Sequence, residues 1–326
     1  MKRAQKIIQT LATAALSVAA LTLAVGAKAQ DKPIVRVLVG FPAGAGTDGL
    51  ARIYAEALSE AIGVTAIVDN KPGAGGQIAA QALKQATPQS NSIMLAVDHQ
   101  VVMLPLVMAN PGFDVKKDMT PVARITNFYA CLAVPGDSPV KDLNEYMEAV
   151  RKTPSLGNVG IPAPGSQPQF MAYVLSQRYK VDLAAVPYRG WAPAIVDLVG
   201  GNVPAAIGPC DALQEHRKAG KVKVLAVASA QRNKAFADVP TFAEYGMKMP
   251  ADSFLGVYAS ATLKPELLKQ ITEATRKMFD NPKVVAKIAA TQMEPAYAGP
   301  EDFRQLVERN TEFWGEQVRK SNFQAQ

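Results

Sequence analysis

The feature that most narrows the fold of this chain is an alternation of two periodicities. From residue 33 onward, short apolar, β-branched runs give way repeatedly to amphipathic stretches of helical period. The reading is strand 35–39, helix 48–62, strand 66–68, helix 77–86 and strand 93–96, which is a βαβαβ unit. Strands written as nearly continuous apolar runs are buried on both faces. The unit therefore predicts a doubly wound parallel sheet, with ligands at the carboxyl ends of its strands.

A second α/β series follows. Strands are read at 131–134, 159–161, 185–187, 204–207 and 222–228, with helices at 143–151, 169–178 and 192–199. The crossing between the series is placed at 121–131. A strand at 254–258 then returns the chain to the first domain, and helices at 265–280, 282–290 and 300–320 finish it, each with proline at or near its start. The expected division is residues 1–29 as a signal peptide, 30–127 as the first part of domain 1, 128–252 as domain 2 and 253–326 as the return to domain 1. Two α/β domains joined by a hinge are able to close on a ligand from both sides.

The first residues read as an address. Lys2, Arg3 and Lys6 precede an uncharged run at 7–27, and Ala27-Lys28-Ala29 supplies small residues for cleavage near Ala29. This is a secretory leader, and the apolar run is short for a membrane span. The formal charge of +7 falls to +3 once residues 1–29 are removed, because they hold four basic residues and no acid. With no basic stripe left and no interleaved aromatics, a nucleic-acid partner is not expected. An oxidising compartment leaves two readings for Cys131 and Cys210: a disulfide, or two small buried hydrophobes.

Two glycine-rich turns each stand directly before a helix. Phe41-Pro42-Ala43-Gly44-Ala45-Gly46 ends the first strand, with Thr47 or Asp48 able to cap the helix after it; Asn70 to Gln77 reads NKPGAGGQ. Unpaired N–H groups at a helix start, with the positive end of the dipole, suit a carboxylate. Alternatively, the turns only set helix packing. Neither has the Gly-Lys-Ser/Thr ending of a nucleotide loop or a full G-x-G-x-x-G, so no phosphate cofactor is expected. Neither C-x-x-C nor H-E-x-x-H occurs, and His99 and His216 are the only histidines, with no G-x-S-x-G elbow. A receptor is favoured over an enzyme, and no cofactor or metal is expected.

Four ordered stretches carry a resemblance over nearly the whole chain after the leader. They are Phe41-Pro42-Ala43-Gly44 with Asp48 and Ala51-Arg52; Val68 to Gly76; Val186-Pro187-Tyr188-Arg189-Gly190 with Ala192-Pro193-Ala194, Asp197-Leu198 and Gly200-Gly201; and Ala219-Gly220-Lys221 with Asp238-Val239-Pro240-Thr241. Together they resemble the extracytoplasmic solute receptors of the tripartite tricarboxylate transporter class, the Bug or TctC-like receptors.

The resemblance implies a periplasmic-binding-protein (Venus flytrap) architecture, a small carboxylate ligand, a membrane permease as partner and a monomer in the periplasm. A sensor kinase ectodomain is an alternative partner. The resemblance puts the first-lobe carboxylate loop on Phe41, Ala43, Gly44, Gly46, Thr47 and Asp48. The second-lobe contacts fall on residues 165–167, including Ser166 and Gln167, and on Tyr188, Arg189 and Gly190. Arg189 is either a bidentate carboxylate partner or a surface arginine. Trp191 either floors the cleft or packs elsewhere.

Two departures from the family pattern stand out. After the strand at 93–96, where small hydroxyl residues are usual, this chain has Asp98-His99-Gln100. A fixed carboxylate there opposes an anionic ligand by roughly 4 kcal/mol at 4 Å and an effective dielectric near 20. Either Asp98 points away, or His99 is charged beside it, or the ligand carries a cationic or hydroxyl group; a ligand-facing donor or acceptor role for Asp98, His99 and Gln100 is favoured. The second departure is Ile207-Gly208-Pro209, where a polar residue is common, and it puts amino-acid specificity in doubt.

Overall fold

A computed structural model describes residues 32–324 apart from 233, 248, 251–252 and 292. The expected leader and its cleavage site lie outside the described residues. Among the described residues, no helix is long and apolar enough to cross a membrane.

The first βαβαβ unit runs β1 (Ile34–Val39), α1 (Gly46–Ile62), β2 (Thr65–Asn70), α2 (Gln77–Lys84) and β3 (Ser92–Val97). Strand β1 pairs in parallel with both neighbours, Val37 lying opposite Val68 and Ile93. Every residue of β3 is buried, as its unbroken SIMLAV requires of a strand covered on both faces. A π-helical turn, His99–Met103, runs into α3 (Leu104–Val107), and α4 (Val115–Asp118) follows.

Next comes β4 (Met119–Phe128), a ten-residue strand lying inside and just ahead of the span read as a crossing. Pro121 and the polar Arg124, Thr126 and Asn127 hide it in the sequence, since proline within a run argues against a strand. Only Tyr129 separates it from β5 (Ala130–Pro135), which belongs to a second sheet.

That second sheet is built from β5, α5 (Leu143–Lys152), β6 (Asn158–Ile161), α6 (Gln167–Tyr179), β7 (Ala184–Pro187), α7 (Trp191–Val199), β8 (Ala205–Pro209), α8 (Gln214–Lys218) and β9 (Val222–Val227). Its order is β7-β6-β8-β5-β9, with β6 parallel to β7 and β8, and β5 antiparallel to β8 and β9.

The chain returns to the first sheet through β10 (Ser253–Ser260). It continues through α9 (Pro265–Met278), α10 (Pro282–Ala289), β11 (Glu294–Ala298) and α11 (Pro300–Lys320). The first sheet has the order β11-β4-β10-β3-β1-β2: a parallel half extended by antiparallel β10, β4 and β11. Strand β10 is buried throughout, and α11 lays Phe303 over it, between Phe254 and Tyr258 at ring separations of 5.2 and 5.1 Å. Gly256 is what lets that ring approach, because a Cβ there would stand 2.1 Å from Phe303 Cζ. The far end of α11 reaches the second sheet's helices: Tyr173 donates to the Lys320 carbonyl at 2.7 Å, and Phe323 meets Phe170 edge-on at 5.5 Å.

Candidate functional site

Six strands of the two sheets deliver their carboxyl ends to one cavity of about 590 Å³. Phe41 follows β1, Asp98 and His99 follow β3, Pro162 to Pro164 follow β6, Tyr188 to Trp191 follow β7, and Pro209 ends β8. Ser253 at the start of β10 and Phe128 at the end of β4 complete the junction between the sheets. Parallel α/β sheets bind ligands at this edge.

The cavity brings together eight of the thirteen residues singled out from sequence: Phe41, Asp98, His99, Ser166, Gln167, Tyr188, Arg189 and Gly190. Ala43, Gly44, Gly46, Thr47 and Asp48 do not line it. In that loop the carboxylate of Asp48, 3% exposed, accepts from Arg52 at 2.9 and 3.1 Å, from Asn70 at 3.0 Å and from the Gly44 amide at 3.0 Å. The Arg52 hydrogen bond lowers its pKa to about 2, with Gly44 and Asn70 adding to the effect against the cost of burial. Asp48 thus ties the glycine turn to α1 and to the second turn, and the Gly44 amide is already committed. The Gly46 and Thr47 amides have no protein acceptor among the described residues, and Thr47 Oγ1 is buried without a partner there.

The second glycine turn serves as a mould. Gly75 lines the cavity, and a Cβ on it would come within 2.8 Å of His99 Nε2; on Gly76 it would collide with the Gln100 side chain at 2.5 Å. Gln100 is fully buried and fills the space between turn and sheet, accepting from the Val97 amide at 3.1 Å and donating to the Gly76 carbonyl at 3.1 Å. It is therefore a brace for the turn and not a ligand-facing group.

Asp98 is 4% exposed. Its Oδ1 accepts from the His99 amide at 2.7 Å, while Oδ2 is buried with no hydrogen-bond partner among the described residues. Burial pushes its pKa up to about 6; the neutral polar groups of Ser253 and Gln167 and the His99 and Phe254 amides around it hold it back from rising further. Burial pushes the neighbouring His99 down to about 4, so at neutral pH the imidazole is uncharged and is not a counter-ion for Asp98.

From the other side, α6 and α7 present their starts. Gly165, at φ 68°, turns the chain into α6, and the Gln169 side chain accepts from its amide at 2.7 Å; Pro168 sits in the first turn. Ser166 spends its hydroxyl on the Ala163 carbonyl at 2.6 Å. Gly190, at φ 106°, opens α7, its amide held by the Pro162 carbonyl at 2.9 Å. The Gln167, Trp191 and Ala192 amides then have no protein acceptor among the described residues, as expected of first-turn donors. Arg189 is exposed and forms no ion pair or hydrogen bond among the described residues. The Tyr188 hydroxyl donates to Asp197 at 2.8 Å, and burial, helped by Asp197, raises its pKa to about 12.

Trp191 is both cavity wall and packed side chain: its indole Nε1 donates to the Pro209 carbonyl at 2.9 Å, and its ring lies on Gly208. A Cβ at 208 would stand 2.6 Å from Trp191 Cε3, which gives the departure at Ile207-Gly208-Pro209 a steric cause. Sequence reasoning misses Ser253 and Phe128. Ser253 is visible there only as a polar residue opening an otherwise apolar strand, and Phe128 lies in the span read as a crossing. Cys131 and Cys210 are free and buried, and burial beside Cys131 raises the Cys210 thiol pKa well above its usual value.

A family model described as Tripartite tricarboxylate transporter family receptor matches residues 50–323. A UPF0065 protein of Bordetella bronchiseptica is 30% identical over 317 residues, covering 96% of this chain and 94% of that one. Among solved structures, Rpa4515 of R. palustris with adipate is similar at 26% identity and a TM-score of 0.78, covering 88% of this chain and 97% of that one. MatC of Rhodopseudomonas palustris with bound malate is similar at 25% identity and a TM-score of 0.73, covering 87% and 98%.

Proposed function

Since the chain belongs to the tripartite tricarboxylate transporter receptor family, we propose that it is a periplasmic, monomeric solute receptor that closes on a small organic carboxylate and hands it to a membrane permease. The observation that carries this reading is the cavity between the two sheets, where Gln167 and Trp191, whose first-turn amides are open, share a wall with Arg189, which is unpaired among the described residues. Helix-start amides and a guanidinium are the donor set a carboxylate takes. The adipate and malate bound by the two structural neighbours are carboxylates of a size such a cavity admits. In this proposal Phe41 walls the cleft, Asp48 holds the loop bearing it, and export uses residues 1–29 as a cleaved leader.

Closure follows from contact with both sheets, since a ligand shifts the open–closed balance only by binding the closed form better. The role is binding without turnover. Purified mature protein, titrated calorimetrically with adipate, malate, aromatic carboxylates and their neutral amides, is expected to bind a subset of the acids and not the amides. The ligand should be recovered unchanged. Preference for the amides, or chemical conversion of a bound acid, would overturn the reading.

A further inference from the structure

Resting on that receptor reading, we infer that the ligand of this cleft carries a positively charged nitrogen in addition to its carboxylate, and that Asp98 holds it. Asp98 lines the cavity at the carboxyl end of β3, is 4% exposed, and leaves Oδ2 buried and unpartnered among the described residues. A buried carboxylate oxygen without a partner is costly, and natural sites of this kind are completed by the molecule that binds there.

The protein's own groups do not complete it. Ser253 Oγ stands close but gives its proton to Gln167 Oε1 at 2.9 Å. The His99 amide bonds Oδ1, Gln167 and the Phe254 amide lie near without a hydrogen bond to Oδ2, and all are neutral, so none of them cancels the charge. The titratable and charged groups facing the cavity are His99, Tyr188 and Arg189. His99 is held neutral by burial, and Tyr188 is committed to Asp197. Arg189, from the opposite sheet, is exposed and forms no ion pair with Asp98.

The remainder of the wall is apolar and aromatic, with Phe41, Phe128 and Trp191 contributing rings. An aromatic wall around one carboxylate favours a cation, through charge pairing and the ring faces together. A ligand with an acid group at each end would set one of them against Asp98. A ligand with an ammonium at one end and a carboxylate at the other matches Asp98 on one sheet and Arg189 with the Trp191 amide on the other. Contact with both sheets is what closure requires.

The test uses the full mature chain and matched probes: ε-aminocaproate against caproate and adipate, and para-aminomethylbenzoate against para-methylbenzoate, with benzylamine as a cation lacking the acid. By calorimetry near neutral pH, at least one aminocarboxylate should bind about tenfold to a hundredfold tighter than its des-amino partner, the range of a charged hydrogen bond. Asp98→Asn, which keeps an acceptor for the His99 amide, should abolish that difference, and lowering the pH below about 6 should narrow it in the wild type. The wild-type comparison needs no variant, and melting curves show whether the variant is folded. Des-amino acids binding as well as or better than their amino partners would remove the inference and leave the carboxylate reading standing. A preference that survives in Asp98→Asn would also remove it. Benzylamine binding with every carboxylate failing would keep Asp98 as a cation site and remove the carboxylate reading, while failure of every probe would count against both.

Discussion

The Ser253 hydroxyl donates to Gln167 Oε1 across 2.9 Å, and so joins the first residue of β10 in one sheet to the first turn of α6 on the other. Both side chains are buried at the cavity floor. Ser253→Ala removes a bond between the two halves without touching a wall residue's ring or charge. Ligand affinity should fall by about threefold to tenfold, corresponding to about 1 kcal/mol for a neutral hydrogen bond. Calorimetry checks it, and unchanged affinity would mean the bond adds nothing to closure.

Asp98 governs a pH effect whose sign can be worked out. Its folded pKa, about 6, lies above the ordinary carboxylate value of 3.8, so the folded state binds the proton more tightly. Burying the charge therefore costs stability above about pH 6, and the cost disappears below about pH 4. Ligand-free Asp98→Asn should melt higher than wild type near neutral pH, with the two curves converging in acid. His99 works in the opposite direction: depressed from 6.5 to about 4, it supplies stability above 6.5 that is lost as pH falls through 4. Asp211, raised to about 7 by burial and by Glu294, has the sign of Asp98. Comparing the variant with wild type isolates Asp98 from both, and a constant offset at all pH values would contradict the assignment.

Asp48 should prove structural. Asp48→Ala strips partners from Arg52, Asn70 and the Gly44 amide together, and should cost about 1–3 kcal/mol in denaturant unfolding. Because its pKa is lowered to about 2, that contribution is present above pH 3.8 and fades as pH falls through 2. Ligand affinity should drop through loosening of Phe41, with the relative order of ligands preserved. A reordered ligand preference would instead make Asp48 a direct contact.

Gly208 and Trp191 form a packing pair that sets the cavity wall. Gly208→Ala forces the indole off the strand and breaks its bond to Pro209, so Trp191 fluorescence should shift to longer wavelength as the ring becomes wetter. Affinity should fall at least about tenfold, since overpacking of this kind typically costs about 1–3 kcal/mol. An unchanged emission maximum would show that the strand yields instead of the ring.

The thiols offer a direct measurement. Cys131 and Cys210 are buried, and the Cys210 thiol is held protonated well above the usual range. A thiol reagent should label neither in the folded protein and both once denaturant unfolds it. Labelling of neither under denaturing conditions would mean that the protein carries a disulfide.

Much of the first lobe is legible in the sequence because its strands are apolar on both faces and its helices keep one apolar stripe. The helix read at 48–62 is Gly46–Ile62, and the strand read at 93–96 is Ser92–Val97. Strands β4 and β11 escape such a reading, since Pro121 and Pro295 interrupt them and their pairing partner in each case is antiparallel and distant in sequence. The site divides in the same way. Tyr188, Arg189 and Gly190 are found because a motif carries them, and Asp98 because it breaks one. Ser253 acquires meaning only when β10 crosses back beside α6, a contact 86 residues apart that no local pattern announces. The glycine turns are identifiable as turns, but the groups that fill them, Gln100 and the Asp48 carboxylate, depend on tertiary packing.

Helix α11 has 21 residues, a rod of about 31 Å at 1.5 Å per residue. Its shaft is pinned to one half of the molecule by Phe303 and its tail to the other by Lys320 and Phe323. Any swing of one half against the other must slide the Phe323 ring over Phe170 or flex the rod. In the proposed receptor, closing the cleft would therefore move the turn that ends this last helix, a second place, apart from the cavity, where the closed state would register.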